Sequence, residues 1–143
     1  MDFLVFLTPV NKEIINDLIK AKFQIQENVS LCAIDQRYFG FLHKKKQLIV
    51  CTTNIITGED NPRAWINQTV THEAVHAVQN CKGGPLGYKK ENMPLPIFKL
   101  KYLIASSSIS GKIEQDRFQK EHEAYYLEDS PNKVHSLIKK FCF

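Results

Sequence analysis

Apolar positions recur with a helical period near the start of the chain, with a strand-like rhythm after residue 29, and with a helical period again from residue 62 onward. Ile14, Ile15, Leu18 and Ile19 fall on one helical face, and Thr8-Pro9 ahead of them supplies an N-cap and a first-turn proline. A helix over about 9–22 is predicted. From Val29 to Thr53 the runs "VSLCAI", "RYFGFLH" and "QLIVCTT" are short, apolar and β-branched, which predicts a small antiparallel sheet ending in a hairpin at "HKKK", 43–46. "GEDNPRAW" then gives Asp60 or Asn61 as cap and Pro62 in the first turn, and Gly83-Gly84 closes the stretch. The helix between them, about 62–81, is apolar around much of its circumference and belongs inside the domain.

"KGGPLGYKKENMPLPIF", 82–98, reads as a long irregular connection, and "ASSSISG", 105–111, as a second small-residue stretch. "KIEQDRFQKEHEAYYLED", 112–129, reads as a helix. A last helix starts at Ser130-Pro131 with Val134, Leu137, Ile138 and Phe141 on one face. The fold class expected is α+β: a small antiparallel sheet packed with the 62–81 helix and C-terminal helices, in one domain spanning 1–143.

Composition narrows the class. With 43% apolar and 24% charged residues among 143, the chain matches an average globular domain rather than a disordered or membrane protein. No apolar run approaches the roughly 20 residues of a membrane span. "MDFLVFLTPV" lacks the basic start and small-residue cleavage site of a secretory signal, so the expected compartment is the cytoplasm. Cys32, Cys51, Cys81 and Cys142 form no C-x-x-C pair and are expected as buried thiols. A net charge of +4 without a basic stripe argues against nucleic acid as a partner.

Candidate chemistry lies in "TVTHEAVHAVQNC", 69–81, where His72, Glu73 and His76 form H-E-x-x-H. Residues four apart share a helix face, so both imidazoles can reach one ion about 2.0 Å away. Glu73, about 100 degrees round the helix, stands beside that ion, where it can take a proton from a water. Five His and nine Glu give roughly 0.01 expected chance matches to the pattern in a chain of this length. A buried His72 and Glu73 without partners would also carry a desolvation cost that a metal removes.

A catalytic zinc needs a third protein ligand and an open position. Glu91, Glu114, Glu121, His122, Glu123, Glu128 and His135 are the candidates downstream. Glu121 is favoured, because Ala124 and Tyr125 lie one helical turn away and a small residue lets two helices approach closely. Glu123, about 160 degrees away, is the alternative. His122 and His135 are read as surface residues, and Tyr125, Tyr126 or His135 as candidate oxyanion stabilisers.

"QLIVCTTNII" followed by "TVTHEAVHAVQNCKGG" resembles the zinc metallopeptidases of the mitochondrial intermembrane space that mature an ATP-synthase subunit, which place an "IVLC-N" strand before a "TLTHELIHAYDHC" helix. The later E-x-x-A, Glu121 to Ala124, fits the same plan and the broader gluzincin class. The resemblance covers about residues 38–128. It implies His72 and His76 as zinc ligands, Glu73 as catalytic base and Glu121 as third ligand. The chain departs from the family at Gln79, where the family has Asp, and in lacking its cysteine-rich N-terminal region, so the family's substrate and chaperone-like role do not carry over. A small bacterial or phage-encoded relative fits these departures.

The function expected is zinc-dependent hydrolysis of a protein or peptide substrate, with "QLIVCTT" as an edge strand that the substrate joins and 82–98 as a wall of the cleft. Two alternatives stand beside it. One is a regulatory protease that cuts a transcription repressor. The other is a non-catalytic module with a closed metal site, for which Cys81 would be the fourth ligand.

Overall fold

The computed structural model describes residues 2–44, 46–107 and 115–143. It has the α+β architecture expected, a three-stranded sheet with helices α1 (Pro9–Lys20), α2 (Thr52–Gly58), α3 (Pro62–Lys82), α4 (Ile97–Ser107), α5 (Gln115–Leu127) and α6 (Pro131–Phe141). Thr8 caps α1, its hydroxyl accepting from Asn11 N at 3.4 Å. Asn61 caps α3, its side chain accepting from Ala64 N, and Gly83 ends that helix in the left-handed region at φ 93°.

α3 is the central element. Its Ile66, Val70, Ala74 and Val78 are fully buried with Ile14 and Leu18 of α1, Val134 and Ile138 of α6, and Leu48 and Val50 of the sheet. Each such aliphatic side chain stabilises the fold by about 1.5–3 kcal/mol, so this layer fixes α3 between sheet and helices. A buried polar joint adds direction. Asn11 donates to Asn67 Oδ1 and accepts from the Thr71 hydroxyl at 3.0 Å, locking α1 onto α3.

The sheet corrects the expected one. Its order is β1 (Gln24–Glu27), β3 (Gln47–Val50), β2 (Gly40–His43); β2 and β3 form the antiparallel hairpin, while β1 lies parallel to β3. "QLIVCTT" therefore supplies the middle strand, and the edge beside α3 belongs to β2. "VSLCAI" is not a strand but a 3-10 turn, Ser30–Ala33. Its Cys32 is joined to Cys51, and Cys81 is joined to Cys142, so all four expected thiols are paired. The stretch 105–111 lies, from residue 108 on, outside the described residues. Among the described residues no helix is long and apolar enough to cross a membrane.

Gly40 lets β2 pass against α3. A Cβ there would stand 2.6 Å from Thr69 Cγ2, 3.0 Å from the Ile49 carbonyl oxygen and 3.2 Å from Glu73 Cγ. Neither the carbonyl nor the branched threonine can yield cheaply. Gly40→Ala is expected to cost about 1–3 kcal/mol, read as a lower urea midpoint at unchanged slope.

Candidate metal centre

α3 and α5 run antiparallel and bring the two halves of the sequence motif together. His76 Nε2 donates to Glu121 Oε1 at 2.7 Å, and His72 Nε2 lies 3.7 Å from Glu121 Oε2. One ligand atom from each of His72, His76 and Glu121 falls within 4.8 Å of the others. Ala124, fully buried one turn on from Glu121, is the small residue that permits this approach. The three side chains are 13, 15 and 23% exposed, all toward one cleft. Such a set leaves room for a fourth ligand from solvent.

The far nitrogen of each imidazole is also held. His72 Nδ1 donates to Glu128 Oε1 at 2.8 Å, and Glu128 in turn accepts from Lys99 Nζ at 2.9 Å. His76 Nδ1 donates to Gln79 Oε1 at 2.8 Å. Gln79 can only present its oxygen that way, because its amide nitrogen donates to Lys120 O and Glu123. These partners hold Nδ1 of both histidines and turn Nε2 toward Glu121, the arrangement that usually stands behind metal-bound imidazoles.

Glu123 is not an alternative ligand. It is fully buried on the other side of α5, where its carboxylate accepts from the backbone N–H groups of Leu86, Gly87 and Tyr88 and from Gln79 and Gln119. The other candidates are also elsewhere. Glu128 stands behind His72, Glu91 is exposed in a 3-10 turn, and Glu114 lies outside the described residues. His122 is buried rather than at the surface, donating to Met93 O at 2.8 Å. His135 binds Asp17 at 2.9 Å between α1 and α6, away from the cleft, and Tyr126 does not line it. Tyr125 does line it, packed edge-on to His72 with ring centroids 4.8 Å apart.

Glu73 sits one step round α3, 7% exposed, with no hydrogen bond among the described residues. Burial raises its carboxyl pKa above the ordinary value, against the pull of His72 and His76. Burial works to lower the pKa of His72, but its hydrogen bonds to Glu121 and Glu128 carry it up to about 10. His76 is likewise raised: burial opposes its charge, and Glu121 outweighs it. Glu121 is held well below its usual range, the two histidines overcoming burial.

The zinc-free cluster is therefore a set of ion pairs with protons where a metal would bind. A raised His72 pKa contributes stability to the zinc-free fold that is full below about 6.5 and fades as pH rises through about 10. A metal ion held by these three side chains would have to displace those protons. Added zinc would then be expected to release one to two of them and to bind about tenfold or more tightly per unit between pH 6 and 8, read by calorimetry in buffers of different ionisation enthalpy.

The cleft holds about 1350 Å³ and follows the outer face of α3. Its wall is β2, which among the described residues is paired only along its other edge, with Tyr38, Phe39, Phe41 and Trp65 at one end. Asn54 fixes the lip, donating to the carbonyls of Cys32, Asp35 and Tyr38. The 82–98 connection is not a wall, since Tyr102 of α4 and Arg117 and Lys120 of α5 close the far side. Cys81 is in a disulfide and has no thiolate to offer. Residues 3–143 match the family described as "Domain of unknown function (DUF8637)", and the chain belongs to that family. No curated protein and no solved structure matches it.

Proposed function

We propose that this family member is a zinc-dependent metallopeptidase, with His72, His76 and Glu121 as the ligands and Glu73 as general base. The observation that carries the reading is the meeting of both Nε2 atoms with Glu121 at the floor of a cleft that Glu73 also faces. Zinc bound there supplies Lewis acidity, lowering the pKa of a water toward about 7 and polarising the peptide carbonyl.

The protein's own groups do the rest. An extended peptide adds to the free edge of β2 by main-chain hydrogen bonds, which lays its backbone along α3. Glu73, with its raised proton affinity, takes the water's proton and returns it to the leaving amine. Tyr125, which lines the cleft with its ring edge-on to His72, is the hydroxyl assigned to the developing oxyanion. Glu128 and Gln79 hold the imidazoles in the ligating tautomer. A closed structural site would need a fourth protein ligand, and the disulfide at Cys81 speaks against that alternative. The paired cysteines support an oxidising compartment in place of the cytoplasm.

A quenched-fluorescence peptide library tests the reading. Cleavage by the purified protein is expected to stop with a zinc chelator and to return with added zinc. Cleavage that persists through chelation, or none with zinc bound across the whole library, would count against it.

A further inference from the structure

The cleft is chemically lopsided along α3. At the Trp65 end its lining is aromatic, with Phe39 and Trp65 in edge-on contact at 5.6 Å between ring centroids and Tyr38 against Phe41 at 5.1 Å. At the other end stand two cations of α5, Arg117 and Lys120. Among the described residues neither side chain has an ion-pair partner, whereas Arg37, the other cation of the lining, is held by Asp35 at 2.7 Å. The acids of the lining do not neutralise the pair. Glu121 and Glu128 are engaged by the histidines, Glu73 is buried, and Glu59 lies just before α3, toward the aromatic end.

Helix geometry converts this into a substrate pattern. Arg117 precedes Glu121 by one turn, about 6 Å along α5. An extended peptide advances about 3.4 Å per residue, so a charge two residues from the bond over the site reaches the level of Arg117. Trp65 precedes His72 by two turns, about 10 Å along α3, which corresponds to three residues in the opposite direction.

We infer that the cleft selects peptides with a carboxylate about two residues to one side of the scissile bond and an aromatic side chain about three residues to the other. This inference rests on the peptidase reading for the position of the bond. The carboxylate can belong to an internal Asp or Glu or to the peptide's own C-terminus, and the two differ in whether amidation matters.

The test reads binding, so it does not depend on turnover. Zinc-loaded Glu73→Gln is titrated against fluorescein-labelled decapeptides pairing Phe with Glu, Phe with Lys and Ala with Glu, and a Phe peptide ending in a free or an amidated C-terminus. Phe with Glu is expected to bind about tenfold more tightly than Phe with Lys, the effect of two solvent-screened ion pairs. The double change Arg117→Glu, Lys120→Glu is expected to reverse the order, and about 0.5 M salt to shrink the difference. Tighter binding of the free over the amidated C-terminus assigns the terminal source; preference only for internal Glu assigns the other. Equal binding of Glu and Lys peptides, an order unmoved by charge reversal, or no binding of any peptide overturns the inference. Cleavage of library peptides without acid preference would sink this inference and leave the peptidase reading standing. Selective binding without any cleavage would do the opposite.

Discussion

Glu73→Gln is expected to keep its zinc and to lose peptide cleavage by about 10²–10⁴-fold, the usual contribution of a positioned general base. The amide is the same size and touches the same groove beside Gly40, so what it removes is proton affinity. Because Glu73 is buried, with no hydrogen bond among the described residues, its replacement relieves a buried charge. The variant should melt no lower than the parent. Rate by peptide turnover and metal by mass spectrometry, taken on one preparation, separate the base from the ligands. A variant that lost zinc as well would make Glu73 a ligand or a structural group.

Glu123→Ala is expected to cost about 3–5 kcal/mol of folding stability, because several buried donors lose their acceptor at once, each at about 1–3 kcal/mol. Three backbone N–H groups of residues 86–88 and two side-chain amides converge on that carboxylate. Without it those donors face a dry space, which is why the penalty exceeds that of one lost hydrogen bond. Denaturant unfolding measures the loss. Gln79 links Glu123 to His76, so zinc affinity should fall as well, by no more than about 100-fold. The two glutamates of "EHE" thus separate by readout: Glu123 by stability, Glu121 by metal.

That separation was legible in outline, because residues two apart on a helix point about 160 degrees apart. The motif helix was legible in detail, since Asn61-Pro62 and Gly83 mark its ends by local chemistry and its apolar residues demand burial. What local pattern does not carry is the choice of partners. β1 is "QIQE", four residues with one aliphatic, and it becomes a strand only by pairing with β3 more than twenty residues on. "TTNIITG" looks β-branched and yet forms α2, where tertiary packing of Ile55 overrides propensity. α4 was hidden because its pattern is inverted. Lys99 and Leu103 turn inward while Ile97, Phe98 and Ile104 are exposed, and the buried lysine is explained by Glu128, Asp129 and the Tyr125 carbonyl of a distant segment. Cysteine pairing likewise depends on which chain ends the fold brings together.

The most direct test of the central claim is zinc content and X-ray absorption of the wild-type protein beside His76→Ala and Glu121→Gln. About one zinc per chain is expected in wild type, in a shell of two imidazoles and oxygen with no sulfur, and it is expected to be lost from both variants. No zinc in wild type even when supplied, or a shell containing sulfur, would contradict the account and return "THEAVH" to the role of a buried helix held by its ion pairs.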